Sequence, residues 1–246
     1  MARRLAGEPL QHIEGETDFR DLTLRADRRA LIPRPETEQL VELVARWAQT
    51  RNLRKAGAGV RLVTRPAESE SRPTVHAALD VGTGSGAIAL SLVQEGIAER
   101  ALGLDASAEA LEQARENRAR VGLEDSVELR RVQESIWQTL APAESFDVIV
   151  SNPPYIPGPE IPDLPREVGR HEPCLALDGG RDGLDVIREV IVGARARLRP
   201  GGALFLEVGE GQAAAVRALL LRHGPWRTVT IHRDLAARER FVAALI

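Results

Sequence analysis

The sequence predicts an α/β fold with a doubly wound, mostly parallel seven-stranded sheet, preceded by a small N-terminal hairpin and helix. From residue 77 onward, strand-like and helix-like segments alternate. The strand-like segments are continuous apolar runs, as in parallel sheets that are covered by helices on both faces. Ligands bind such sheets at the carboxyl ends of the strands, so we expect the functional residues there.

The individual elements can be assigned in order along the chain. Residues 18–32 alternate around a polar turn, which predicts a hairpin, and apolar residues at helical spacing behind Pro35 predict a helix. Residues 50–73 are polar and aperiodic, which predicts a flexible linker insertion. Strands are predicted at 77–81, 101–105, 127–132, 146–151, 202–208, 228–232 and 240–245, with helices at 87–95, 108–120, 184–198 and 212–223. We therefore divide the chain into an N-terminal segment (1–49), an insertion (50–76) and a main domain (77–246).

The composition excludes several classes of protein. A net charge of -3, with 28% charged residues spread along the chain, gives no sign of a polyanionic partner. The single cysteine, Cys174, excludes an internal disulfide, and no clustered His or Cys pattern suggests a metal. No apolar stretch has the length of a signal peptide or a membrane span. We expect a cytoplasmic monomer without a metal.

A glycine turn follows the first strand of the main domain. The stretch LDVGTGSGAIAL places Gly82, Gly84 and Gly86 where the following helix begins. Glycine lets a ligand approach the backbone, and free N-H groups of a helix start attract an anionic group. Asp105, at the end of the next strand, can accept hydrogen bonds from ribose hydroxyls. A dinucleotide and a nucleoside-type methyl donor both fit these features, and so does a plain tight turn.

The motif NPPY (152–155) ends an apolar strand in a rigid, extended turn. A planar NH2 group is a poor nucleophile because its lone pair is delocalised, so a site that modifies it must accept both N-H hydrogens. The side-chain oxygen of Asn152 and the carbonyl oxygen of Pro153 can supply those acceptors, and Pro154 helps to fix their geometry. Tyr155 can pack against the flat group. A proline-rich strand exit without function is the alternative.

These motifs together resemble one family. G-x-G-x-G behind Asp80 is similar to the first motif of class I S-adenosylmethionine-dependent methyltransferases, and NPPY resembles the [D/N]PP[Y/F/W] motif of amino methyltransferases. The stretches GEPLQHIEG, LIPRPETEQLVE and EVGRHEPCLALDGGRDGL resemble the HemK/PrmC family, the N5-glutamine methyltransferases of peptide chain release factors. The resemblance covers the chain from Arg3 to its end, except for the insertion. It implies a Rossmann-like class I methyltransferase fold.

The resemblance also implies a set of site residues. S-adenosyl-L-methionine would be bound by Gly82, Thr83, Gly84, Ser85, Gly86, Asp105, Ile136 and Asn152, and the substrate amide by Asn152, Pro153, Pro154 and Tyr155. Glu36 and Thr37 would lie near the pocket, although capping of their helix explains them equally well. The adenine contact is the weakest part of the assignment, because the pattern of the family is altered in QESIWQ and the contact could fall on Trp137 instead of Ile136.

The substrate implied by the resemblance is the glutamine of the GGQ loop of class I release factors. A glutamine of a ribosomal protein and the N6 amine of adenine remain alternatives within the same chemistry, and a binding module without catalysis is an alternative of another kind. The lack of a basic patch disfavours DNA. The family has a helical N-terminal domain, and residues 1–49 resemble the linker that follows it. We interpret the long, proline-rich connection 156–183 as a lid or substrate-binding rim.

Overall fold

The computed structural model describes residues 2–55 and 74–246. Its first part contains two short helices, a hairpin and one long helix: α1 (Ala2–Leu5), α2 (Leu10–Glu14), β1 (Glu16–Phe19), β2 (Leu22–Arg25) and α3 (Pro35–Lys55). The predicted hairpin therefore exists, but it spans residues 16–25 rather than 18–32. Pro35 opens α3, as expected for a residue that lacks an N-H group, and two acidic residues lie in the first turn of the helix.

The remaining strands form one sheet of seven. Their bounds are β3 (Val75–Val81), β4 (Ala98–Asp105), β5 (Val127–Arg131), β6 (Phe146–Ser151), β7 (Leu198–Glu207), β8 (Thr228–Arg233) and β9 (Glu239–Leu245). The strand order is β5-β4-β3-β6-β7-β9-β8. The first five of these strands are parallel, and β9 is antiparallel to both β7 and β8. The predicted seven-stranded, mostly parallel sheet is confirmed.

Helices cover both faces of the sheet. They are α4 (Ala87–Gln94), α5 (Ala108–Arg120), α7 (Asp185–Arg197) and α8 (Ala213–Arg222), each within two residues of its predicted bounds. Ser107 caps α5 by accepting a hydrogen bond from the N-H of Ala110 at 3.1 Å. The connection after β6 contains short helical turns at Gly158–Asp163, Arg166–Gly169 (α6) and Cys174–Ala176. Sequence periodicity did not predict these turns, because none is long enough to show a repeat.

The N-terminal segment shares the core of the main sheet. Leu40, Val41 and Val44 of α3 are completely buried in one apolar cluster with residues of α4 and β7. The bounds of the predicted insertion need correction, since Thr50 to Lys55 continue α3 and Val75 already belongs to β3. The rest of the predicted insertion lies outside the described residues. The division into three parts stays a prediction.

One glycine of β4 supports the turn that follows β3. A Cβ atom on Gly103 would lie 2.8 Å from Oγ1 of Thr83 and 2.8 Å from Cδ2 of Leu129, closer than packed side chains approach. We expect Gly103→Ala to lower the free energy of unfolding by about 1 to 3 kcal/mol, because the neighbours must shift. Urea denaturation measures this change.

Gly169→Ala is a matched control for this substitution. An added Cβ there meets its nearest neighbour at 3.5 Å, an ordinary van der Waals contact. We expect its urea midpoint to be no lower than that of the unaltered protein, because alanine fits here without a clash and restricts the unfolded chain. Equal midpoints for both variants would contradict the role of Gly103.

Candidate active site

A cavity of about 290 Å³ opens where the carboxyl ends of β3, β4 and β6 meet. Its walls come from segments that are far apart in the sequence. The segment before and at the start of α3 contributes Arg29, Ala30, Leu31, Pro33 and Thr37. The glycine turn and α4 contribute Gly82, Thr83, Gly84, Ser85, Ala87 and Ile88. Other lining residues, from later in the chain, include Asp105, Ser107, Val132, Ile136, Asn152, Pro154, Pro173, Leu175, Ala176 and Glu189. The fold thus places the glycine turn and the NPPY motif at one cavity.

The glycine turn uses conformations that other residues rarely adopt. Gly82 has φ 73° and Gly84 has φ 55°, both in the left-handed region. A Cβ on Gly84 would meet nothing within 4 Å, so the backbone borders open space at this point of the cavity wall. The turn therefore offers its backbone directly to a ligand.

Asp80, at the end of β3, stabilises the glycine turn through hydrogen bonds. Its Oδ2 accepts hydrogen bonds from Oγ1 of Thr83 at 2.6 Å and from the N-H of Ala89 at 3.2 Å. Its Oδ1 is buried and has no hydrogen-bond partner among residues 2–55 and 74–246. Burial raises the pKa of Asp80 to about 7. Asp80 does not line the cavity, so we assign it a structural role.

Asp105 links the end of β4 to the glycine turn. One carboxylate oxygen accepts from the N-H of Gly84 and the other from the N-H of Ser107, both at 2.8 Å. Burial raises the pKa of Asp105, and these backbone hydrogen bonds oppose the rise. Each oxygen has a second lone pair, so the carboxylate can still accept from two hydroxyl groups of a ligand.

The structure separates the two candidates for the adenine contact. Ile136 is buried and lines the cavity, while its N-H donates to Oε1 of Glu189 at 2.8 Å. Trp137 points elsewhere: its ring covers Gly193 of α7, and its Nε1 donates to the carbonyl oxygen of Glu189 at 2.6 Å. Ile136 is therefore the better candidate for an apolar contact with a ligand ring.

Asn152 belongs to a hydrogen-bonded network that sequence analysis did not predict. Its Nδ2 donates to Oγ1 of Thr37 at 2.9 Å, and Oγ1 of Thr37 donates to Oε2 of Glu207 at 2.8 Å. Nη2 of Arg240 donates to Oε1 of Glu207 at 3.3 Å and to the hydroxyl of Tyr155 at 2.8 Å. We call these five residues the amide network. They come from α3, β7, β9 and the turn after β6.

The charged groups of the amide network, on Glu207 and Arg240, are buried or nearly so. Glu207 has no exposed surface, and burial raises its pKa to about 7 although Thr37 and Arg240 oppose the rise. The guanidinium group of Arg240 lies 5.0 Å from the centroid of the Tyr155 ring and stacks on it. Burial raises the pKa of Tyr155, which keeps its hydroxyl neutral.

Asn152 and Pro153 both keep an acceptor that is not used inside the protein. Neither Oδ1 of Asn152 nor the carbonyl oxygen of Pro153 accepts a hydrogen bond from the part of the chain that the structure describes. The two residues are adjacent, and Asn152 lines the cavity. Oδ1 of Asn152 is therefore available to a ligand NH2 group, whereas Pro153 is buried and does not line the cavity.

The connection after β6 forms one wall of the cavity. Pro173, Leu175 and Ala176 line it. Nη2 of Arg34 donates to Oε2 of Glu172 at 2.6 Å, and the Glu172 side chain is only 1% exposed. Burial raises the pKa of Glu172. This ion pair ties the connection to the segment before α3.

The predicted site residues divide into two groups. Those that line the cavity are Gly82, Thr83, Gly84, Ser85, Asp105, Ile136, Asn152 and Pro154, together with Thr37. Gly86, Pro153, Tyr155 and Glu36 do not line it. Gly86 starts α4 with φ 87°, Glu36 pairs with Arg238 at 3.0 Å, and Tyr155 faces Arg240. Sequence analysis missed Glu207 and Arg240, although a single acid within the apolar stretch GALFLEV was a signal.

Among residues 2–55 and 74–246, no group of three or more His, Cys, Asp or Glu could hold a metal ion. Within the same ranges, no helix is long and apolar enough to cross a membrane.

The fold and the glycine turn define a methyltransferase domain, and comparison with known proteins agrees. Residues 78–172 match a family model described as "Methyltransferase domain". The N-terminal domain of human METTL16, solved in complex with SAH, has a similar fold, with a TM-score of 0.60, 15% identity, and coverage of 91% of this chain and 75% of that one.

Sequence relatives narrow the class to one family. The release factor glutamine methyltransferase of Gloeobacter violaceus is 41% identical over 234 residues, which is 95% of this chain and 73% of the relative. The protein of the same name from Bradyrhizobium diazoefficiens is 41% identical over 242 residues, covering 98% and 74%. This chain belongs to the release factor glutamine methyltransferase family, as its motifs predicted.

Proposed function

We propose that this protein transfers a methyl group from S-adenosylmethionine to the side-chain amide nitrogen (N5) of the glutamine in the GGQ motif of class I peptide chain release factors. One observation gives the main support for methyl transfer to an amide nitrogen. Asn152 borders the same cavity as the glycine turn, so a methyl donor and an amide can meet there. Membership of the family supports the choice of substrate.

The cavity residues fit S-adenosylmethionine. The backbone of Gly84 borders open space, where a carboxylate or an amino group of the ligand can approach. Asp105 has free lone pairs for ribose hydroxyls, and Ile136 offers an apolar surface to adenine. When bound, S-adenosylmethionine supplies an electrophilic methyl group.

The protein contributes position and hydrogen-bond acceptors to the reaction. Oδ1 of Asn152 and the carbonyl oxygen of Pro153 accept the two N-H hydrogens of the substrate amide, which turns its lone pair toward the methyl group. The bond from nitrogen to the methyl carbon would form as the bond from carbon to the sulfonium sulfur breaks, with S-adenosylhomocysteine as the leaving group. No strong base is needed, because the nitrogen proton becomes acidic as the new bond forms and can pass to water. The reaction therefore depends on geometry and electrostatics.

The substrate is a protein loop in this proposal. Glutamine and adenine both present a flat NH2 group, so the acceptors alone do not choose between them. The net charge of -3 disfavours a nucleic acid, which would need several unopposed phosphate contacts. We place the incoming loop against Pro173 and Leu175 of the rim, where 59% of the Leu175 surface is exposed. The protein works as a cytoplasmic monomer in this proposal.

The test uses S-adenosylmethionine with a labelled methyl group. We expect the label on a class I release factor and its loss when the GGQ glutamine is changed to alanine, because the acceptor nitrogen is then gone. Double-stranded DNA and ribosomal proteins serve as competing substrates. Label that persists on the alanine variant, or that appears on a competitor instead, would contradict the assignment.

A further inference from the structure

We propose that Glu207, acting through Thr37, is a positioning residue that holds the Asn152 amide with its oxygen toward the substrate and its NH2 group away from it. This inference rests on the proposed function, because it explains how the acceptor for the substrate amide is presented. It assigns a task to Thr37 and Glu207, neither of which needs to touch the reacting atoms.

While Glu207 is ionised, the hydrogens of Asn152, Thr37 and Glu207 can be arranged in only one way. An ionised carboxylate can only accept, so Thr37 must donate its single hydroxyl hydrogen to Glu207 across 2.8 Å. Toward Asn152, Oγ1 of Thr37 can then only accept. The amide must therefore turn its NH2 group to Thr37, at 2.9 Å, and its Oδ1 points the other way.

Protonation of Glu207 removes this constraint. A neutral carboxyl group can donate to Oγ1 of Thr37, which frees the Thr37 hydrogen to bond Oδ1 of Asn152. The amide can then rotate by 180° and present its NH2 group to the substrate. Two NH2 groups facing each other cannot form the required hydrogen bond, so this arrangement is inactive.

The groups around Glu207 set its charge. Arg240 of β9 lies 3.3 Å from Oε1 and favours the carboxylate. Glu36 of α3 opposes it by like charge, but Arg238 pairs with Glu36 at 3.0 Å and weakens that effect. The neutral hydroxyl of Tyr155 shares Nη2 of Arg240. Burial outweighs these contacts, so the carboxylate titrates close to neutral pH.

The first expected result is a pH dependence of methyl transfer. The pKa of Glu207 is raised to about 7, so the carboxylate predominates above that pH and the acid below it. The single-turnover rate should therefore fall as the pH is lowered through about 7. Asp80 titrates in the same range, and Glu207→Gln distinguishes the two, because only the Glu207 contribution disappears in that variant.

Substitutions test the path through Thr37. Thr37→Val keeps the shape of the side chain but removes the hydroxyl group. Glu207→Gln replaces a carboxylate that can only accept with an amide whose NH2 group can donate to Oγ1 of Thr37. We expect each to slow single-turnover transfer by about 10- to 100-fold, as for misplacement of a reacting group. The double variant should be no slower than either single one, because both substitutions disrupt the same chain of hydrogen bonds from Glu207 through Thr37 to Asn152. Thr37→Ser should keep most of the rate.

An NMR measurement tests the inference without catalysis. The side-chain NH2 resonance of Asn152, identified by its loss in Asn152→Ala, should shift with pH in the unaltered protein, with a midpoint near 7. The shift should vanish in Glu207→Gln and in Thr37→Val. If the resonance titrates but release factor is not methylated, the proposed function fails and the positioning role stands.

Glu95→Gln is the matched control. Glu95 also pairs with an arginine, Arg20, but lies at the end of α4 away from the cavity lining. Its rate, pH profile and Asn152 resonance should match those of the unaltered protein. An unchanged rate and resonance in folded Thr37→Val, or an unchanged pH profile in Glu207→Gln, would overturn the proposal.

Discussion

Asn152→Ala should lower the single-turnover rate of methyl transfer by about 100- to 1000-fold, the loss typical of a fixed hydrogen-bond partner in the transition state. Asn152 lines the cavity, and its Oδ1 accepts no hydrogen bond from the described part of the protein, so this oxygen is free for the substrate amide. The affinity for S-adenosylmethionine should change little, because the loss falls on the reacting nitrogen. Rapid-quench kinetics and calorimetry separate these two quantities.

Asn52→Ala controls for the loss of an asparagine side chain as such. Asn52 lies on α3, roughly 22 Å along the helix from Thr37 at 1.5 Å per residue. We expect normal transfer from this variant. A folded Asn152→Ala protein with near-normal transfer would refute the assignment of Asn152 as the acceptor for the substrate amide.

Asp105→Ala should weaken the binding of S-adenosylmethionine by about 10- to 150-fold, which corresponds to the roughly 1.5 to 3 kcal/mol of hydrogen bonds to a charged group. Two losses combine here: the acceptor for ribose hydroxyls disappears, and the N-H of Gly84 loses its partner at 2.8 Å. Asp105→Asn retains one acceptor oxygen and should bind with intermediate affinity. Isothermal calorimetry gives the three dissociation constants.

The matched control for Asp105→Ala is Asp125→Ala, an exposed aspartate in the turn that leads into β5. Its affinity for S-adenosylmethionine should be unaltered. Circular dichroism establishes that the variants are folded. An Asp105→Ala protein that is folded and binds with unchanged affinity would remove Asp105 from the cofactor site.

Features that depend on neighbouring residues could be predicted from the sequence. The strands β3 to β9 and the glycine turn follow from local periodicity and glycine spacing, and the structure has them with small shifts at their ends. The same holds for Asn152 and Asp105, since a residue at the carboxyl end of a parallel strand lies at the ligand edge wherever the strand is placed. The assignment to a family rested on such local motifs and is confirmed by the relatives.

The amide network could not be predicted in the same way. Thr37 and Glu207 are 170 residues apart, and their hydrogen bond exists only because α3 packs against β7. The contact of Arg240 of β9 with the Tyr155 ring was likewise not predicted, and the contact of Tyr155 with the substrate stays a prediction. Such pairings depend on packing between elements that are distant in the sequence. Periodicity in the sequence does not indicate which of these elements pack together.

The position of β9 between β7 and β8 has a consequence for biosynthesis. Ribosomes add about 5 to 20 residues per second, so Glu207 precedes Arg240, which lies 33 residues further on, by roughly 2 to 7 s. During that interval Glu207 cannot pair with Arg240, and the edge of β7 that β9 later occupies is open. The glycine turn and Asp105 are complete much earlier. A nascent chain can therefore acquire the glycine turn and Asp105 before it acquires the arginine that completes the amide network.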